Sequence, residues 1–373
     1  MSDKYLRSRV DYTRLLCFYN CQSMQFFFMK RGVERMKNKS LIFSYVLLFG
    51  FLVTMYGYGM GVKQTKASSS EQTTTHKTVG ILQYVSHPAL DTIKEGVIEG
   101  LKNGGYTEGD NLTIRFQNGQ ADQSKLATMS EQLVNNKADV LVGIATPAAQ
   151  ALANTTSTIP IVLGAVTDPV SAKLVASLKE PGGNITGVSD KAPINAQFEL
   201  AQTLLPKAKT VGILYSSAED NSKYQVEEAK KIAEALGYTV KKYAVPSTNE
   251  ISQTVQVMSE AVDFIYVPLD NTIANAMASV VAQANKTKTP IIPSVDTMVE
   301  QGGLATVGIN QKELGIKTGE MVAAILNGKS NPATTPVYTF SSGDIIVNTK
   351  QAEILGITIP DDILEKATIE GDE

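Results

Sequence analysis

Val79-Gly80-Ile81-Leu82-Gln83-Tyr84 and Val211-Gly212-Ile213-Leu214-Tyr215 are nearly the same string, and the patterns downstream of the two strings also agree. After the first, Leu90, Ile93, Val97 and Leu101 recur at three- and four-residue spacing, predicting a helix from about 89 to 103 that ends at Gly104-Gly105-Tyr106. After the second, a helical pattern from about 222 to 236 ends at Gly237-Tyr238. Leu112–Phe116 and Val240–Val245 read as the next strands, with a helix from about 123 to 135 following the first of them. Asp139-Val140-Leu141-Val142-Gly143-Ile144 then matches Asp263-Phe264-Ile265-Tyr266-Val267, and Pro160-Ile161-Val162-Leu163 matches Pro290-Ile291-Ile292-Pro293. Short apolar strands alternating with helices are the mark of βαβ units. Four elements repeated in register predict an α/β body of two homologous, doubly wound parallel-sheet lobes.

Parallel sheets bind ligands beyond the carboxyl ends of their strands. Two facing lobes would bring six post-strand loops to one cleft, and those loops supply the candidate residues: Tyr84, Ser86, His87, Thr146, Thr167, Asp168, Ser217, Asn221, Asp270, Asn271, Thr272 and Asp296. Thr146-Pro147 opens a helix, whose free amides and positive dipole end suit a carboxylate, or it merely starts the helix. Asp168, Asp270 and Asp296 suit an ammonium group, with Asp168 or Asp270 favoured; each equally suits a cap or turn. Tyr84 and Tyr215 end equivalent strands and can sandwich a flat ligand or pack at an edge. His87 can donate to a ligand oxygen or pack beneath its loop.

The chain has 373 residues and a net charge of -3, without the clustered basic face that nucleic acid requires. Its two cysteines, Cys17 and Cys21, precede the body, which therefore has no disulfide and no cysteine-ligated metal. His76 and His87 are the only histidines, so no His/Cys metal cluster is expected. There is no Walker A string, no G-x-G-x-x-G after the first strand, and no G-x-S-x-G to support a Ser–His–Asp triad on Ser86 or Ser217 and His87. Neither catalysis nor a cofactor is expected; small-molecule binding is.

Leu41–Val62 is an unbroken run without a charge, long enough to span a bilayer and longer than a signal-peptide core. Lys30, Arg31, Arg35, Lys37 and Lys39 precede it, which places the body outside the cell. An uncleaved anchor is favoured over cleavage near Ala67 and secretion. Residues 1–40 form the N-terminal region, of which 1–35 read as a start-site artefact ahead of Met36; 63–77 are a polar spacer.

Gln83-Tyr84-Val85-Ser86-His87-Pro88-Ala89-Leu90-Asp91, Gly143–Ala151, Ala165-Val166-Thr167-Asp168-Pro169-Val170, Pro181–Gly187 and Val267–Thr272 together carry a resemblance. The body is similar to the ABC-transporter substrate-binding proteins of periplasmic-binding-protein type I architecture, and more narrowly to Gram-positive members that take tryptophan or other aromatic amino acids. The resemblance implies capture of such a ligand by lobe closure, delivery to a permease and its ATPase, and an extracellular, membrane-tethered setting. It also implies three chain crossings, giving lobe 1 as 78–189 plus 310–340 and lobe 2 as 190–309 plus 343–368. The chain lacks the cysteine of a lipid-anchored member after its apolar run. The ligand's carboxylate is expected at the Thr146 helix start, its ammonium at Asp168 or Asp270, and its flat side chain on Tyr84. A ligand-sensing ectodomain of the same fold is the alternative.

Overall fold

The computed structural model of the chain describes residues 76–370, and Leu48 besides. The apolar run Leu41–Val62 apart from Leu48, the region before it and most of the spacer lie outside the described residues. Among the described residues no helix is long and apolar enough to cross a membrane.

Strand β1 (Lys77–Gln83) leads into α1 (Pro88–Asn103), which carries Pro88 in its first turn, where a missing amide costs nothing. The buried face of α1 is Leu90, Ile93, Val97 and Leu101, as the periodicity dictates. Next come β2 (Leu112–Asn118), α2 (Gln123–Asn135), β3 (Val140–Ile144), α3 (Thr146–Thr155), β4 (Ile161–Gly164) and β5 (Ile185–Ser189). The second series is α4 (Ile194–Leu204), β6 (Thr210–Ser216), α5 (Asp220–Ala235), β7 (Thr239–Val245), α6 (Ile251–Ser259), β8 (Phe264–Val267), α7 (Asn271–Ala274), α8 (Met277–Ala284), β9 (Ile291–Pro293), α9 (Asp296–Glu300) and β10 (Ala305–Gly308). It is followed by α10 (Gln311–Leu326), β11 (Tyr338–Thr339), β12 (Asp344–Asn348), α11 (Thr349–Leu355), α12 (Asp361–Leu364) and β13 (Thr368–Glu370).

The first sheet, β11-β5-β4-β3-β1-β2, is parallel throughout. The second, β7-β6-β8-β9, repeats the β2-β1-β3-β4 order, also in parallel. Central strands are continuous apolar runs because helices cover both faces; every residue of β3 and of β8 is buried. The edge strands β2 and β7 are half exposed, and Lys241 and Lys242 mark the latter as an edge. The architecture departs from parallel at β12, which pairs antiparallel with β10, Gly308 opposite Asp344. The reason is direction of entry: β12 arrives from β11 at the end where β10 leaves.

Two hydrophobic cores result, one from residues 79–188 with 309–337, the other from 192–307 with 347–359. Ala89, at the start of α1, packs into the second core. The chain passes between the cores after β5, after β10 and after β11. The first core is almost wholly aliphatic, whereas the second is centred on Phe198, Tyr238, Phe264 and Tyr266, with Phe198 stacked on Tyr266 at 4.7 Å. α10 follows the second series yet packs on α1. Their backbones touch: a Cβ on Gly100 would fall 2.1 Å from Ile316 O, and one on Gly319 would fall 2.2 Å from Val97 O. Only glycine permits that approach.

Candidate functional site

Strands β1, β3, β4 and β5 of the first sheet, and β6, β8 and β9 of the second, end around one cleft. Its polar lining is His87, Thr146, Thr167, Asp190, Asn221, Asp270, Asn271 and Gln311. Its apolar lining is Ala89, Leu90, Ala145, Ala165, Leu269, Ala274, Val295 and Met298.

The sharpest feature is a set of buried polar atoms without a protein partner. Six such side-chain atoms occur among the described residues, and four belong to cleft residues: His87 Nδ1, Thr146 Oγ1, Asp190 Oδ1 and Asn221 Oδ1. A buried polar group left unpaired costs about 1–3 kcal/mol, so four around one cavity are complementary to something polar that enters it. Asp190 is half-buried as a residue, but its carboxyl lies wholly inside, and burial pushes it up to about 6 against the hydrogen bond from the Thr167 side chain. Asn221 donates Nδ2 to Leu269 O at 2.9 Å, which leaves Oδ1 as an acceptor facing the cleft.

Thr146 begins α3, whose first-turn amides have no partner inside the helix. Its predecessor Ala145 has φ 74° and ψ 155°, a region almost confined to glycine, and Ala165, after β4, has φ 58°. Both alanines line the cleft, so the left-handed backbone sits at the two central strand ends of the first sheet.

The second sheet's carboxylates are used differently. Asp270 caps α7 through Ile273 N at 2.9 Å and accepts from Ser216 N at 2.5 Å. Burial, and then the neighbouring Glu219 carboxylate, push its carboxyl up to about 7. Glu219 is fully buried and accepts from Asn271 Nδ2 at 2.5 Å, Thr272 N at 2.8 Å and Thr272 Oγ1 at 2.7 Å. It thereby fixes the loop that meets the first lobe. His87 Nε2 lies 3.2 Å from Asn271 Oδ1, and the Tyr84 side chain reaches Thr272, both across the cleft.

Of the twelve residues expected at the site, His87, Thr146, Thr167, Asn221, Asp270 and Asn271 line the cleft. The other six do not. The Tyr84 ring is buried in the first core, and Tyr215 packs against the second. Ser86 is exposed and bonded to Asp91, Ser217 is exposed and bonded to Val245 O, and Thr272 is held by Glu219. Asp168 closes its own turn, accepting from Val170 N, Ser171 N and Ser171 Oγ, and Asp296 accepts from Thr297 N at the start of α9. Sequence reasoning misses Asp190 and Gln311 as cleft residues, placing only chain crossings near them. A lone acidic residue directly after a strand that ends beside the switch point is the available signal for Asp190. Among the described residues lining the cleft none is aromatic, and no group of histidine, cysteine and carboxylate residues suits a metal ion among the described residues.

Residues 78–370 match the profile of the ABC transporter substrate binding protein family. The chain belongs to that family. It is 39% identical over 316 residues to the tyrosine-binding protein of Clostridioides difficile, covering 85% of this chain and 91% of that one. A crystal structure of an ABC domain in complex with L-Trp from Streptococcus pneumoniae is 52% identical, with a TM-score of 0.78 over 80% of this chain and all of the other. A ligand-free, open substrate binding protein with adhesive properties from Clostridium difficile is 39% identical over the same shares, with a TM-score of 0.62. Solute-binding proteins only 14–15% identical, at a TM-score of 0.54, share the periplasmic-binding-protein type I fold. As a member of this family the chain is a binding protein and not an enzyme.

Proposed function

We propose that this protein captures an aromatic amino acid in the cleft and delivers it to the permease of an ABC importer. The observation that carries the reading is the set of four unpartnered buried polar atoms around one cavity that also has an apolar wall. An α-amino acid supplies what they lack. Its ammonium donates to Asp190 Oδ1 and Asn221 Oδ1, and its carboxylate takes the Thr146 hydroxyl and the first amides of α3. Its side chain lies among Ala89, Leu90, Ala274, Val295 and Met298, where a thioether beside a ring is favourable. The ligands named for the two relatives, tyrosine and L-Trp, support an aromatic side chain.

Ligand contacts to both lobes favour the closed state, since a ligand shifts an equilibrium only by its differential affinity. Lobe 1, residues 78–189 plus 310–340, and lobe 2, residues 190–309 plus 343–368, would move as bodies about the three crossings. The cross-cleft bonds of His87 and Tyr84, and the higher TM-score to the L-Trp complex than to the open relative, support a closed arrangement here. The apolar run Leu41–Val62 would hold the body on the outer face of the membrane.

The test is the melting temperature of the full-length chain against the twenty amino acids, several nucleosides and common sugars. A ligand at about 100 times its Kd adds about 2.7 kcal/mol, enough to move the midpoint by a few degrees. A shift confined to aromatic amino acids is expected; a shift with sugars alone overturns the assignment.

A further inference from the structure

His87 is buried, and its ring is fixed by a chain of bonds that begins at a carboxylate. Glu219 only accepts, so the Asn271 amide must turn its Nδ2 toward Glu219, at 2.5 Å, and its Oδ1 toward His87 Nε2, at 3.2 Å. The hydrogen of the neutral ring is therefore on Nε2. Burial lowers the His87 pKa from 6.5, which keeps the ring neutral. Nδ1 is then a bare lone pair, buried in the cleft wall, with no partner among the described residues. It can be satisfied only by a donor.

The ammonium of the ligand is the wrong donor by position. Asp190 follows β5 and His87 follows β1, and in the order β5-β4-β3-β1 these strands are three steps apart, about 14 Å at the usual spacing. His87 instead sits at the aliphatic end: Ala89 and Leu90 follow it on α1, and Ala89 packs into the second core together with Val295 and Met298. What reaches that end is the ligand's side chain.

We infer that His87 reads the side chain: its Nδ1 accepts a hydrogen bond from the ring N–H or O–H of an aromatic amino acid, favouring tryptophan and tyrosine over phenylalanine. The inference rests on the reading of the cleft as an aromatic amino-acid site, and it adds a specificity residue that the expected aromatic sandwich does not contain. Because Asn271 belongs to the opposite lobe, the reading nitrogen is oriented only when the cleft is closed. Discrimination and closure are one event.

The test is calorimetry on the full-length chain with L-tryptophan, L-tyrosine, L-phenylalanine and L-3-benzothienylalanine, in which sulfur replaces the indole N–H. A site built around a ligand donor rejects the analogue lacking it, so wild type is expected to prefer tryptophan over benzothienylalanine, or tyrosine over phenylalanine, by about tenfold or more. His87→Leu is expected to bring each pair within about threefold. A second measurement needs no variant. The chain has two histidines, so the ¹⁵N ring signals of His87 are separable. Its unprotonated nitrogen should move upfield with tryptophan and stay in place with phenylalanine. A tenfold preference surviving in His87→Leu, or equal movement with both ligands, overturns the inference; the latter would mean that the ammonium occupies Nδ1. If wild type binds all four ligands equally, the aromatic reading stands and His87 alone is misassigned. If it binds none of the four, the aromatic reading falls and takes the inference with it.

Discussion

The two faces of the cleft are built on the same strand order but are prepared in different ways. The lobe 1 face carries left-handed alanines at 145 and 165 and leaves Thr146 Oγ1 and His87 Nδ1 without protein partners. On the lobe 2 side, Glu219, Asp270, Asn271 and Thr272 spend nearly all their capacity on one another, and Asn221 Oδ1 remains, with Asp190 Oδ1 at the crossing. An unsatisfied face is complementary to a ligand, whereas a satisfied face is a stiff wall against which the first can close. Equivalent loops on equivalent strands thus differ: the loop after β3 leaves Thr146 Oγ1 open, while the loop after β8 is bonded within itself and to Glu219.

The contrast breaks most visibly at Asp190. Asp190→Asn removes the charge that faces the ammonium and should weaken binding on the order of 100-fold, measured by calorimetry, without lowering the melting temperature of the ligand-free chain. Unaltered affinity would mean that the ammonium is held elsewhere in the cleft. The pH profile gives the next effect. Below about 6 the Asp190 carboxyl holds a proton that an ammonium must displace, so affinity should fall by up to about tenfold per pH unit on the acid side and level off above. Asp190→Asn should flatten that slope.

Stability runs the other way. Asp190 and Asp296 are raised to about 6 and Asp270 to about 7, from 3.8 in each case. A raised carboxyl contributes stability that is full below its unfolded value and lost as pH rises through the folded one. On these groups the ligand-free chain should melt lower at pH 8 than at pH 5, which scanning calorimetry at the two values checks. Asp168→Ala should do least. It opens a turn and should change Kd by less than about threefold, because its oxygens already serve Val170, Ser171 and the Tyr224 hydroxyl.

The doubled architecture was legible because it rests on local patterns: strand runs, the three-and-four spacing on α1, and glycine stops, all repeated. Half of the candidate site was legible because strand order places particular loops together. The rest depends on quantities that a string does not carry. Asp270 and Asp296 look alike as acidic residues after strands, yet one shares a buried pair with Glu219 and the other binds its neighbour's amide. Tyr215 lies within β6, in register with Gln83, whereas Tyr84 falls one position past the end of β1, where its side chain is buried and reaches Thr272. Asp190 follows the fifth strand of the first sheet, and only the placement of β5 beside β4 brings it near Thr167.

The glycine seam between α1 and α10 also bears on how such a chain is made. α1 leaves the ribosome early, but the helix that covers its glycine face comes only after the whole second series has been synthesised. The first sheet to be translated is therefore the last to be finished. While lobe 2 emerges, the close-contact surface around Gly96 and Gly100 stands open, and contacts this distant in sequence form slowly. A nascent chain stalled before residue 311 would hold a completed second sheet and an unfinished first one, the state in which helpers of export would find this protein.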